Sequence, residues 1–241
     1  MSDARRHRLL IIAHRGASAV APEGTAAAIR AAAHAGAGMV ELDVQMTRDD
    51  RLVVFHDATL ERTTTGSGRL TRHRYAEIAR LDAGSWFHPR FASERILLLS
   101  HALRLAPATM QINVELKGTE RRTLLLARLQ RLVRRLGVAR RLLVSSFDPA
   151  LLAPQTAPAA ARALICRRAA AQSLQRAIRL GCVAWHPHHT VLTPARVAQA
   201  HAAGLRVHAW TVDDRRLART LISWGVDGVF TNDPARLRRL R

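Results

Sequence analysis

Seven ionisable side chains in this 241-residue sequence fall at spacings that could do chemistry. In Met39-Val-Glu-Leu-Asp-Val-Gln45, Val40, Leu42 and Val44 alternate with Glu41, Asp43 and Gln45, the period-two pattern of a strand. Glu41 and Asp43 therefore leave one face side by side. Adjacent carboxylates are costly unless water solvates them or a cation answers them, and the spacing alone leaves a solvated face and a hard divalent ion equally open. The neighbouring residues favour the ion. His14-Arg15-Gly16 precedes this stretch, His56-Asp57 follows it, and Glu115-Leu-Lys117 repeats the i, i+2 spacing further on.

Together these residues describe phosphodiester cleavage. Glu41, Asp43 and Glu115 offer oxygen ligands only, which suits Mg²⁺ or Ca²⁺ better than Zn²⁺. Arg15 can grip a phosphate as a bidentate fork and Lys117 as a point charge. His14 and His56 can form an acid–base pair, one taking a proton from the attacking oxygen and the other giving one to the departing oxygen. Other side chains carry weaker signals. Trp185-His-Pro-His-His189 resembles a zinc cluster, but no carboxylate accompanies it, so a surface histidine loop is expected, with His186 able to line a pocket. Trp210 is expected as a pocket wall, and Phe147 and Trp86 fit either a wall or the core.

Positioning these groups requires a repeated framework. Strands are expected at 9–13, 39–45, 110–116, 141–145, 163–166, 182–185, 205–210 and 226–230. Between them lie helical segments opening at Thr25, Ile96, Thr119, Ala170, Pro194 and Asp214, a short one over 149–155, and a last one after Pro234. Residues 1–8 read as a polar lead-in. The rhythm breaks over 57–95, where Thr63-Thr-Thr-Gly-Ser-Gly68 is a loop and no strand of useful length occurs, so this segment is expected as an insertion or lid. Eight β/α alternations in one domain spanning 1–241 predict a (β/α)8 TIM barrel with a small insertion after the second strand. In such a barrel reactive residues collect at the C-terminal ends of several strands, as they do here. No GxGxxG or GxxxxGK[ST] occurs, which removes the usual dinucleotide and P-loop sites.

Composition narrows the partners. The formal net charge is +20, and Lys117 is the single lysine, so the excess is arginine. The arginines are scattered through every helical segment and do not interleave with aromatics, which are 4% of the chain, so a stacking platform for nucleic acid is poorly supported. Cys166 and Cys182 form neither a CxxC pair nor a disulfide framework and are expected as small buried residues. No apolar run reaches membrane-spanning length, and a cytoplasmic protein is expected.

At the level of motifs the sequence resembles the glycerophosphodiester phosphodiesterases, of the small bacterial cytoplasmic type, over nearly its whole length. The resemblance rests on His14-Arg-Gly-Ala17 with Pro22-Glu-Gly-Thr25, Glu41-Leu-Asp-Val44 with Thr47, Val54-Phe-His-Asp57, Asn113-Val-Glu-Leu-Lys117, Ser145-Ser-Phe-Asp148, Val207-His-Ala-Trp-Thr-Val212 and Gly225 to Pro234. It implies a (β/α)8 barrel with an insertion after the second strand, a divalent ion on Glu41, Asp43 and Glu115, catalysis by His14 and His56, and phosphate contacts from Arg15 and Lys117. By position His14 is expected as the base and His56 as the acid. The implied substrate is a small glycerophosphodiester. Attack by its glycerol 2-hydroxyl would give a cyclic phosphate that water opens, yielding sn-glycerol 3-phosphate and an alcohol. Relatives that act on lysophospholipids share the core motifs, and the aromatics near Trp86-Phe87 could take a lipid tail. A third alternative is a silent basic protein that binds anionic membrane or nucleic acid, against which the intact His and acidic set speaks. Two positions depart from the family pattern: Gly24 stands for a common Asn, with Thr25 able to cap the helix instead, and Asn232 stands for a common Asp. Neither is expected to touch the metal ligands or the histidines.

Overall fold

A computed structural model describes residues 9–153 and 160–240. Its chain runs β1 (Leu10–Ala13), α1 (Ala26–His34), β2 (Met39–Met46), β3 (Leu52–Val54), α2 (Tyr75–Ile78), α3 (Leu99–Leu105), β4 (Gln111–Leu116) and α4 (Arg122–Leu136). It continues through β5 (Leu142–Ser146), β6 (Ala161–Cys166), α5 (Ala170–Arg179), β7 (Ala184–Pro187), α6 (Pro194–Ala202), β8 (Arg206–Ala209), α7 (Arg215–Ser223), β9 (Gly228–Thr231) and α8 (Pro234–Leu237). Every strand but β3 pairs in parallel with two neighbours, and β1 pairs with both β9 and β2, so the sheet closes on itself. The fold is the predicted (β/α)8 barrel. The expected lead-in at 1–8 lies outside the described residues. The helix expected at 149–155 is a 3-10 turn over Pro149–Leu152, and the end of that expectation falls outside the described residues.

Burial on both faces explains why the strands are so apolar. Val40, Leu42 and Val44 point outward into the layer between barrel and helices, with Ile29, Leu99 and Leu125. A second, smaller set points inward, with Ile12, Met39, Leu143, Ala163, Ala184 and Phe230 filling the barrel's lower interior. Helix starts are set by local chemistry: Thr25 accepts from the Ala28 N–H at 3.3 Å, and Asp214 accepts from the N–H groups of Arg216 and Leu217.

One strand lies outside the eight expected: Leu52–Val54 is an antiparallel partner of β2, with Val44 opposite Val54. The helix expected from Ile96 begins three residues later, because Ile96 to Leu98 stay extended: Leu97 accepts from the Val54 N–H and Leu98 bridges Val53. A short apolar run carries no periodicity that separates strand from helix. The 57–95 insertion has its own small core of Phe55, Leu60, Leu70, Ile78, Ala83 and Ile96. Among the described residues no helix is long and apolar enough to cross a membrane.

Candidate active site at the C-terminal mouth of the barrel

Register brings the acids together. Asp43 on β2 lies opposite Glu115 on β4, and Glu41 lies opposite Asn113 one layer below. All three carboxylates thus enter the barrel from adjacent strands, and one oxygen of each lies within 4.8 Å of the others. Glu41 is 1% exposed and Asp43 3%, so the solvated-face reading of this strand is ruled out. Among the described residues this is the one cluster of three or more side chains fit to hold a metal ion, and the His186–His189 stretch is not part of it.

The cations answer the acids unequally. Lys117 reaches Asp43 at 2.6 Å and also pairs with Glu115, while Arg15 Nε lies 3.3 Å from Asp43. Burial works against the Asp43 carboxylate, but Lys117 and Arg15 outweigh it and hold its pKa below the ordinary value. Glu41 accepts the Arg15 backbone N–H at 2.8 Å on Oε2, and its Oε1 is buried without a partner. Burial, then Asp43 and Glu115, raise the Glu41 pKa well above the carboxylate range. A buried carboxylate oxygen with no donor is costly, so Glu41 has an acceptor free to bind a cation. The donor set fits a hard divalent ion.

Both histidines stand beside this cluster, each oriented through Nδ1. His14 Nδ1 lies 2.7 Å from Asn232 Oδ1, and Asn232 Nδ2 donates to Asp213 at 2.6 Å. Since Asp213 fixes the amide's NH₂ end, the end facing His14 is an acceptor, and the network assigns a protonated Nδ1 and a free lone pair on Nε2. His56 Nδ1 lies 2.6 Å from Asp57 Oδ1, and hydrogen bonding by Arg62 pulls the Asp57 pKa to about 2, so it is ionised. Burial lowers both imidazole pKa values, with Arg15 adding to the effect at His14; at His56 the Asp43 and Asp57 carboxylates oppose it. Sequence reading missed the Asn232 contact: that departure does touch a histidine, across 218 residues of chain.

The loop that carries His14 and Arg15 turns through left-handed backbone, with φ of +57° at Arg15 and +85° at Gly16. This aims the Arg15 N–H at Glu41 and its guanidinium at Glu23, 2.9 Å away. Gly16 has a second constraint: a Cβ there would stand 2.6 Å from Ala28 Cβ and 2.7 Å from Ala28 C. Gly16→Ala is expected to cost about 1–3 kcal/mol of stability from overpacking and backbone strain, measured by denaturant unfolding. Gly24 also has a positive φ, +69°, a conformation that Asn shares with Gly, and the helix cap is Thr25. Exchange of Asn for Gly here keeps the turn. Arg62, from the insertion, spans Glu23 and Asp57 and ties the insertion to the site; nothing in its loop sequence marked it.

Above the acids opens a cavity of about 330 Å³. It is lined by the polar His14, Arg15, Glu41, His56, Glu115 and Lys117 and, among others, by Phe147, Trp210, Phe230 and His186. Trp210 and Phe147 are therefore wall residues, their rings perpendicular at 5.6 Å. His186 is fully buried, its Nε2 3.1 Å from His208 Nδ1. Trp86 and Phe87 pack on each other in the insertion and do not line this cavity. Cys166 and Cys182 are buried free thiols.

Residues 14–236 match the model of the Glycerophosphoryl diester phosphodiesterase family. The sequence is similar to a glycerophosphodiester phosphodiesterase of Caldanaerobacter subterraneus, 34% identical, covering 97% of this chain and 98% of the relative. The structure is similar to that of an Oleispira antarctica phosphodiesterase in complex with the product sn-glycerol-3-phosphate, with TM-score 0.88, 33% identity and 95% of each chain covered. A protein structure from Silicibacter pomeroyi superposes with TM-score 0.87 at 28% identity, over 96% of this chain and 92% of that one.

Proposed function

As the chain belongs to the glycerophosphoryl diester phosphodiesterase family, we propose that it hydrolyses glycerophosphodiesters to sn-glycerol 3-phosphate and an alcohol. The observation that carries this reading is the pair of oppositely supported histidines beside a three-carboxylate cluster in one cavity. Glu41, Asp43 and Glu115 would hold a divalent ion, which when bound would draw negative charge from the phosphate oxygens. One oxygen of each carboxylate lies within 4.8 Å of the others, close enough for the three to share one hard divalent ion.

The chain's own residues account for the proton movements. Arg15 and Lys117 line the cavity as cations and would grip the phosphate. His14, with its Nε2 lone pair free, takes the proton of the glycerol 2-hydroxyl as that oxygen attacks phosphorus. His56, backed by the Asp57 carboxylate, gives a proton to the departing alcohol oxygen as the P–O bond breaks. Water then opens the cyclic phosphate with the roles reversed, returning both side chains to their starting states. The apolar wall of Trp210 and Phe147 faces the departing alcohol.

The test is release of sn-glycerol 3-phosphate from a panel of glycerophosphodiesters in Mg²⁺ or Ca²⁺. Release that stops with chelator is expected; no release from any ester overturns the reading. Phe147, 48% exposed beside the cavity, is the feature that favours the lysophospholipid alternative. Turnover of lysophosphatidylcholine without turnover of any soluble diester would make that alternative correct.

Asn232→Asp tests the assignment of His14 as base. A carboxylate in place of the amide favours the imidazolium, so the His14 pKa rises and the base is lost at a higher pH. The acid limb of kcat/KM is expected to move up by about one pH unit. An unmoved limb would remove His14 from that role.

A further inference from the structure

A second cavity of about 260 Å³ continues from the first, sharing Phe147, Ile165 and Arg167 with it. Its other charged lining residues are Arg168 and Arg176, and no carboxylate lines it. Among the described residues none of the three arginines takes part in an ion pair. The first turn of α5, which runs beside them, contains no acid either. Three arginines thus line an open space whose lining contains no anionic residue. Ser173 and Gln172 add polar groups to its wall.

Arg167 also closes off the alternative. A cationic alcohol such as choline is best held over the face of an indole, and the indole at hand is Trp210, in the wall of the first cavity. Its ring already carries the Arg167 guanidinium, with Cζ 5.4 Å from the ring centroid. Phe147 and His188 stand perpendicular to the same ring at 5.6 and 4.8 Å. A quaternary ammonium would have to displace one cation and approach two more.

We infer that this second cavity is the subsite for the departing alcohol and that it takes alcohols carrying a negative charge, a phosphate group above all, in preference to neutral or cationic ones. The inference rests on the proposed hydrolysis, since it names the substrate class for that same site. Arg167 sits at the junction and selects against the cation; Arg168 and Arg176 receive the anion. Arginine suits this role because its fork matches phosphate oxygens.

Binding tests it separately from turnover. Dissociation constants of glycerophosphoinositol 4-phosphate, glycerophosphoinositol and glycerophosphocholine are measured by calorimetry on the full chain in chelator. The phosphorylated ester is expected to bind about tenfold tighter than its parent, one charge-assisted contact's worth, and the choline ester weakest. Arg168→Gln with Arg176→Gln should collapse the ratio between the two inositol esters toward one. Arg134→Gln with Arg135→Gln, which removes the same charge from α4, should leave the ratio as it was. Equal affinities, a choline ester that binds as tightly, a ratio that survives Arg168→Gln/Arg176→Gln, or a ratio lost equally in the α4 pair would each overturn the inference. Failure of hydrolysis in Mg²⁺ or Ca²⁺ would instead count against the reaction and leave the binding order to stand or fall by itself.

Discussion

His56→Ala is expected to lower kcat by roughly 10²–10⁴-fold on an ester with an ordinary alcohol, the usual contribution of a positioned acid or base. The fold should survive, because His56 lies at the rim of the cavity with its side chain 33% exposed. Loss of rate alone would not tell acid from base, so the alcohol is the informative variable. An ester of p-nitrophenol leaves without help from an acid. On that ester the deficit of His56→Ala should shrink to within about tenfold of the unaltered protein. His14→Ala should stay down by the full factor on both esters, because attack still needs its base. Equal deficits for His14→Ala and His56→Ala on the p-nitrophenyl ester would overturn the division of labour drawn from Asn232 and Asp57.

Glu41→Gln is expected to move activity and stability in opposite directions. Activity should fall by at least about 10²-fold, since an ion that stabilises developing charge is worth several kcal/mol. Stability without metal should rise. The Glu41 pKa is raised in the fold, so its carboxyl favours the folded state when protonated, and that advantage is lost as pH climbs through the raised pKa. Once pH exceeds that raised value, the metal-free protein carries a buried charge with an unpartnered oxygen, and glutamine removes that charge. Each kcal/mol recovered should appear as about 2–4 °C in the Tm of the metal-free protein. Added Mg²⁺ or Ca²⁺ should raise the Tm of the unaltered chain and not that of Glu41→Gln. A lower metal-free Tm in Glu41→Gln would show that Glu41 is there for the fold and not for an ion.

Much of this site is legible in the sequence. Glu41 with Asp43, and Glu115 with Lys117, are pairs two residues apart at strand ends, and strand periodicity alone places each pair on one side. A closed barrel then does the rest, because parallel pairing in register sets Asp43 beside Glu115. Trp210 was legible for the same reason, as a strand-end aromatic. What stayed hidden depends on side chains that meet across the mouth. Asn232 holds His14 across the closure of the barrel, where β1 meets β9, and no local pattern reports a contact of that span. Arg62 comes from an aperiodic loop, so nothing distinguished it from the other arginines of a very basic chain. Arg167 was invisible in the same way: its significance is that it lies on Trp210, and only the fold shows that. The start of α3 falls three residues after Ile96, a difference the sequence does not signal because an apolar run such as Ile96 to Leu98 fits either conformation.

The most direct measurement is the crystal structure of the protein with Ca²⁺ or Mg²⁺ and sn-glycerol 3-phosphate. The ion should sit on oxygens of Glu41, Asp43 and Glu115 at about 2.0–2.6 Å, with the phosphate between Arg15 and Lys117 and within reach of both His14 and His56. An ion held elsewhere, at His188 and His189 for example, or a phosphate seated away from the two histidines, would contradict the account.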